Sequence, residues 1–234
     1  MRKIIFWDFD GTLSHPGAIW GGVIADVMGE YTDNVSTEII REHLHTGYTW
    51  HTPEIHYAQT GALWWENMFL HFSKLYEKFG ISAEKHCEIN AKVRSRIISA
   101  DTYTLFDGAA EVLRECAKIG ENYILSNNYP ELPDVIKALG IGEYICGYVV
   151  SAQIGYEKPH AGIFAHALAV ADADPKRDIC VMIGDNPKAD IMGGKAAGFT
   201  TIFAHATKEE KPCEYADHYA AAMGDIPDVI RAIG

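Results

Sequence analysis

The chain has 234 residues, 48% apolar and 22% charged, enough for one large domain or a domain carrying an insertion. A formal net charge of -12 excludes a broad basic footprint for nucleic acid or an anionic membrane, while leaving room for a local phosphate pocket. No apolar run approaches the roughly 18 residues of a membrane span, and Asp8 and Asp10 interrupt the apolar start before it could act as a secretion signal, so a cytoplasmic protein is expected.

Lys3 to Phe9 reads as a short buried strand. About ninety residues with no convincing strand follow, up to Thr104. Within them Trp65, Met68, Phe69, Phe72, Leu75, Tyr76 and Phe79 form a stripe at helical spacing that Gly80 stops. Ile89, Val93 and Ile97 form a second stripe, with Ser82 placed to cap its helix. An all-helical insertion over residues 16–100 is expected, leaving 1–15 and 101–234 as the core. Trp20, Tyr48, Trp50, Trp64 and Trp65 crowd the insertion and read as packing residues.

Beyond the insertion, strands and helices alternate. Ala110, Leu113 and Ala117 mark a helix face before the strand Asn122–Ser126. Leu132, Val135, Ile136 and Leu139 mark the next, closed by Gly140 before the strand Tyr148–Ser151. Ile163, Phe164, Ala167, Leu168 and Ala171 precede the strand Cys180–Gly184, and Thr200–Ala204 reads as a fifth strand. Ile226, Val229, Ile230 and Ile233 give a last helix. Short apolar strands alternating with amphipathic helices predict an α/β fold, a doubly wound parallel sheet covered on both faces.

The five cysteines include no CxxC pair and read as reduced residues filling the core. Neither His43 and His45 nor His51 and His56 has the i, i+4 spacing of a helical zinc site.

The chemistry-bearing residues gather at strand ends. Asp8-Phe9-Asp10-Gly11-Thr12-Leu13 closes the first strand, and its two acids, two residues apart, point to the same side. In a doubly wound sheet ligands bind just beyond the carboxyl ends of the strands. Gly184-Asp185-Asn186-Pro187-Lys188-Ala189-Asp190 brings Asp185 to another strand end, with Pro187 suited to the next helical turn. Asp190 falls in the opening turns of that helix, where an acid serves either the dipole or the site. Three converging carboxylates repel one another unless a cation neutralises them, and hard oxygen donors favour Mg2+. Ser126-Asn127 ends a further strand with a hydroxyl, an amide and backbone N–H groups able to hold a phosphate, and is also good turn sequence. Gly155-Tyr156-Glu157-Lys158-Pro159 supplies Lys158, a fixed cation or a solvated loop residue.

In this order the four pieces resemble the haloacid dehalogenase superfamily of hydrolases, over nearly the whole chain. The resemblance implies strand order 5-4-1-2-3 and identifies the insertion with the family's helical cap. It implies a Mg2+-dependent phosphatase, a phosphoric monoester hydrolase acting on a small phosphorylated metabolite through an aspartyl-phosphate on Asp8. Asp10 would protonate the leaving alcohol and then take a proton from the attacking water. Ser126, Asn127 and Lys158 would hold the phosphoryl oxygens. The metal would lie on Asp8, the Asp10 carbonyl and Asp185, with Asp190 behind them.

Haloacid dehalogenases lack the second aspartate, as do phosphonate hydrolases, so Asp10 speaks for phosphoryl transfer. A phosphomutase would keep every motif seen here, and a non-catalytic phospho-ligand binding protein would be free to lose the acids. No protein partner is evident. The segment Thr46–Thr60, with Gly47, Tyr48, Trp50, His51, Pro53 and His56, reads as the loop that senses the rest of the substrate, and the alternative is that Trp50 packs on Trp64 and Trp65. Many relatives carry an acid where this chain has Ser14-His15. Hinges are expected at Leu13–Gly17 and Ala100–Thr104.

Overall fold

The computed structural model describes residues 1–15, 19–204 and 213–234. Strand β1 (Lys3–Trp7) leads into helices α1 (Ile19–Met28), α2 (Thr37–Leu44), α3 (Ala62–Lys78) and α4 (Ala83–Ile97). Then follow α5 (Ala109–Cys116), β2 (Glu121–Ser126), α6 (Leu132–Ala138), β3 (Gly147–Val150), α7 (Ser151–Ile154) and α8 (Ala161–Val170). β4 (Ile179–Gly184) runs into a π-type turn, Pro187–Met192, and on to α9 (Gly193–Ala196), β5 (Thr200–Ala204), β6 (His218–Ala220) and α10 (Ile226–Ala232).

The six strands form one sheet in the order β3-β2-β1-β4-β5-β6, with every pairing parallel. The expected order of five strands is present inside it. β6 is the addition. Its three residues are too few to show a period, and its place is set by pairing with β5. β1 ends at Trp7, two residues earlier than its apolar run, so Asp8 begins the loop and its N–H still donates to Ile183 O at 2.9 Å.

Alternation along β1 sends Ile4 and Phe6 to one face and Ile5 and Trp7 to the other, all fully buried. The first pair packs with Ile163, Phe164 and Ala167 of α8, and the second with Leu113, Ile136 and Ile230 of α5, α6 and α10. The α5 face differs from the reading by one position. Ala109, Val112, Leu113 and Cys116 are buried and Ala117 is exposed, because the helix starts from Gly108 in a left-handed conformation that sets its phase. Ser82 occupies the N-cap of α4, yet its hydroxyl makes no cap bond. Of the five cysteines only Cys116 and Cys180 are buried, while Cys87 and Cys146 are exposed, so core filling accounts for two.

The helices α1 to α4 stand beyond the carboxyl ends of β1 and β2. The apolar cluster of β1 continues through Phe9, Tyr103 and Tyr129 to Trp64, Trp65 and Phe72. The two chain passages between sheet and insertion run side by side: His15 N–H donates to Thr104 O at 2.9 Å, and Ser14 bridges Leu105. Gly17, part of the expected hinge, and Pro16, at the expected domain boundary, lie outside the described residues. Among the described residues, no helix is long and apolar enough to cross a membrane.

Candidate active site

β1, β2 and β4 are neighbours, so their carboxyl ends bring Asp8, Ser126 and Asp185 to one place. Ser126 Oγ donates to Asp8 Oδ1 at 2.8 Å. Lys158 Nζ lies 2.9 Å from the same oxygen, 2.6 Å from Asp190 Oδ1 and 2.8 Å from Leu125 O. The ammonium thus spends its three protons on one nucleophile candidate, one buried acid and one strand carbonyl. Burial alone would lower the Lys158 pKa, but the charges of Asp190 and Asp8 outweigh it and hold the ammonium above its ordinary range.

Asp190 is completely buried. Burial pushes its carboxyl up to about 7, against the pull of Lys158 and of the Asn186 N–H, which donates to Oδ2 at 2.9 Å. With an ammonium at 2.6 Å and a backbone donor on the other oxygen, Asp190 stands as the charged partner of Lys158. It sits in the first turn of the π-type segment that Asn186 caps, with Asn186 Oδ1 accepting from Lys188 N and Ala189 N at 3.0 and 2.9 Å.

Asp8, Asp185 and Asp190 each turn one carboxylate oxygen into a common space, all within 4.8 Å of one another. Two glycines make this convergence possible. A Cβ at Gly11, which has φ +83°, would collide with the Asp185 carboxylate, and one at Gly184 would collide with Asp190. Three close carboxylate oxygens beside one lysine form a hard, anionic donor set that fits a divalent cation such as Mg2+. Asp190, expected behind the metal, also offers an oxygen to this space. The Asp10 side chain turns to Asn128, which leaves its backbone carbonyl as the group expected on the metal.

Asp10 is partly buried, and Asn128 Nδ2 donates to its Oδ2 at 2.8 Å. Burial first, then the charge of Asp8 and more weakly that of Asp185, push its carboxyl up to about 7, with Asn128 opposing. A carboxyl poised there can carry or accept a proton near neutrality. Asn128 is a residue the motif reading passed over. The signal was the doubled asparagine after Ser126, of which only the first was taken. That first one, Asn127, clamps the lysine backbone: its Nδ2 donates to Lys158 O at 3.0 Å and its Oδ1 accepts from Lys158 N at 2.6 Å.

Above these groups lies a cleft of about 560 Å³. Asp8, Asp10, Ser126, Asn127, Lys158 and Asp185 line its floor, and Lys188 its edge. The insertion supplies the opposite wall through Trp20, Leu44, Trp50, His51, Pro53 and Trp64. Trp20 and Trp50 are only partly buried, so the packing reading holds for Tyr48, Trp64 and Trp65 but not fully for these two. Trp50 stacks on Tyr48 with ring centroids 4.5 Å apart and meets Trp20 at 6.1 Å, in place of the expected contact with Trp64 and Trp65.

Wall and floor are also tied. Thr49 Oγ1 donates to the buried Glu157 Oε1 at 2.6 Å, Tyr57 N to Gly155 O at 2.8 Å and Trp65 Nε1 to Glu131 at 2.9 Å. Burial raises the Glu157 pKa, with Thr49 and Ser151 pulling the other way.

A parallel sheet with an acid-and-lysine cluster at its carboxyl end, roofed by a helical insertion after the first strand, defines a hydrolase class. Residues 2–198 match the model of the haloacid dehalogenase-like hydrolases, and the chain belongs to that family. It is similar to the pyrimidine 5'-nucleotidase YjjG of Escherichia coli, with 35% identity over 117 residues, 48% of this chain and 50% of that protein. The chain spans about half the length of the curated relatives it matches first. Its fold is similar to that of the HAD-hydrolase YfnB of Bacillus subtilis bound to magnesium, with TM-score 0.73 at 16% identity over 98% of this chain and 99% of that one. A 2-haloacid dehalogenase of Pseudomonas syringae gives TM-score 0.72 at 20% identity over 99% of each chain.

Proposed function

We propose that this hydrolase is a Mg2+-dependent phosphatase that releases phosphate from a small phosphorylated metabolite through an aspartyl-phosphate on Asp8. The observation that carries the reading is the pair of acids with separate supports. Asp8 is held by Ser126 and Lys158, and Asp10 is held by Asn128. A dehalogenase needs only the first.

Asp8 attacks phosphorus, the ester P–O bond breaks, and Asp10 gives its proton to the departing alkoxide. Asp10 then takes a proton from water as the water oxygen attacks the acyl phosphate, returning Asp8 as a carboxylate and releasing phosphate. Splitting one difficult displacement into two lets a weak carboxylate nucleophile serve. Lys158 and the Ser126 hydroxyl, which hold Asp8 before substrate arrives, would turn to the phosphoryl oxygens as the group binds beside Asp8, with the positive charge already in place. Asp8, the Asp10 carbonyl and Asp185 are the groups that would hold the cation, with Asp190 beside them as the partner of Lys158, and the cation when bound would neutralise phosphoryl charge.

Residues 16–100 act in this reading as a cap over a core of 1–15 and 101–234, and frame the cleft in which the ester sits. An acidic chain with five free cysteines suits the reducing cytoplasm. The test is phosphate release from p-nitrophenyl phosphate with Mg2+ and after exhaustive chelation. Release that stops on chelation and returns with Mg2+ is expected. Undiminished release without metal, or none with it, would reject the reading.

A further inference from the structure

The charges of the cleft are segregated. Asp8, Asp10, Lys158, Asp185 and Lys188 all belong to the floor and its edge. Among the described residues, the wall contributed by the insertion carries no acid, lysine or arginine. An ester whose alcohol bore a carboxylate, an ammonium or a second phosphate would be stripped of water there with no counter-charge. A polyol would fare little better, because the wall offers few polar groups. The Tyr129 hydroxyl, also at the cleft, is already spent on Tyr103 at 2.7 Å.

The wall does offer rings. Trp20 meets Trp50 at 6.1 Å and Trp64 at 6.2 Å, tilted by 41° and 59°, which sets indoles around one space instead of in a closed stack. Leu44 and Pro53 complete an apolar surface. An imidazole, His51, stands among them. The Tyr48 N–H donates to His51 Nδ1 at 3.3 Å, so Nδ1 accepts and the neutral ring carries its proton on Nε2. Burial lowers the His51 pKa, which keeps that ring neutral. The wall therefore combines aromatic faces with a few N–H donors, the His51 Nε2–H and the indole N–H groups, of which the buried Trp64 Nε1 has no partner within the protein.

We propose that this wall selects esters whose alcohol carries a flat, uncharged ring with hydrogen-bond acceptors, the chemistry of a nucleoside monophosphate. The inference rests on the phosphatase reading and names its substrate class. Stacking on Trp50 or Trp20 uses the face of the ring, and a ring carbonyl or nitrogen accepts from His51. A cleft of about 560 Å³ has room for a phosphate, a pentose and one base.

The test compares kcat/KM for a pyrimidine and a purine nucleoside 5'-monophosphate, pyridoxine 5'-phosphate, phosphoserine, glucose 6-phosphate and glycerol phosphate. At least one aromatic-ring ester should exceed all three esters without an aromatic ring by ~tenfold. The pyridoxine ester separates a preference for any aromatic ring from one for a nucleobase. Trp50→Ala should lower the ratio of ring ester to glycerol phosphate by ~tenfold, and Trp50→Phe should keep most of it. An ester without an aromatic ring as best substrate, or an equal loss across the panel in Trp50→Ala, would overturn the inference. Quenching of tryptophan fluorescence by nucleotide in metal-free Asp8→Asn gives a readout without turnover. Saturable quenching with no phosphate released from any ester in the wild type would support ring recognition and reject the phosphatase. Phosphate release with no ring preference and no quenching would do the reverse.

Discussion

The floor and the wall of the cleft are built on opposite principles. Every acid on the floor whose contacts are described is held by a neighbour: Asp8 by Ser126 and Lys158, Asp10 by Asn128, Asp190 by Lys158 and the Asn186 amide. The wall is apolar, and its rings touch other rings. In the proposed reading the floor gathers charge where phosphate binds, and the wall meets whatever else the ester carries. All esters share the first part and differ in the second, so the difference separates chemistry from selection.

Changes on the floor should therefore cost all esters equally, while changes on the wall should divide them. The largest effect belongs to Asp8. Asp8→Asn should reduce multiple-turnover phosphate release by at least ~10³-fold on every ester, with an unchanged circular dichroism spectrum. Loss on some esters only would break the division of labour.

Next comes the lysine. Lys158 and Asp190 have side-chain exposures of 2% and 0%. Lys158→Met leaves Asp190 buried beside Asp8 without its cation and should destabilise the fold by ~3–5 kcal/mol in urea unfolding. A shift under 1 kcal/mol would mean the pair is solvated.

Asn128 is a finer probe, because it touches Asp10, the proposed proton carrier, and not Asp8, the proposed nucleophile. Asn128→Ala should lower kcat by ~10–100-fold. The loss should be smaller for p-nitrophenyl phosphate, whose leaving group needs little protonation. Equal losses on p-nitrophenyl and alkyl phosphates would deny Asn128 its link to Asp10.

A last probe is stability against pH without metal, which leaves turnover aside. The Asp10 carboxyl sits at about 7 in the fold against an ordinary 3.8. A raised carboxyl contributes stability that is full below 3.8 and lost as pH rises through about 7. Metal-free Asp10→Asn keeps that contribution, so its melting temperature should gain on the wild type steadily from pH 4 to 7. A constant difference over that window would mean that Asp10 is not raised.

Much of the floor was legible because its residues are adjacent in sequence. Asp8 and Asp10 follow an apolar run that can only be a buried strand, and Asp185 follows another; the parallel sheet then brings them together. Asn128 was not legible, since which of two consecutive asparagines turns toward Asp10 depends on the backbone after β2. The role of Asn127 as a clamp on Lys158 joins residues 31 apart. β6 and the phase of α5 escaped for a related reason: one has three residues, and the other is set by the left-handed Gly108. The wall was half legible. Its aromatic content stood out, but a buried ring and a cleft-lining ring share one spacing, and only the packing of four helices tells Trp20 and Trp50 from Trp65.

The bond from Thr49 to Glu157 joins the two halves at a particular point. Glu157 is the chain neighbour of Lys158, and Thr49 belongs to the turn Thr49–His51 that presents Trp50 and His51. Whatever replaces this turn during evolution inherits the task of satisfying a buried carboxyl next to the catalytic cluster. Loops grafted from other proteins to change the preferred ester should therefore keep a hydroxyl at position 49, or be accompanied by an apolar residue at 157. Sequence drift in the reading loop is free at its rings and tethered at its threonine.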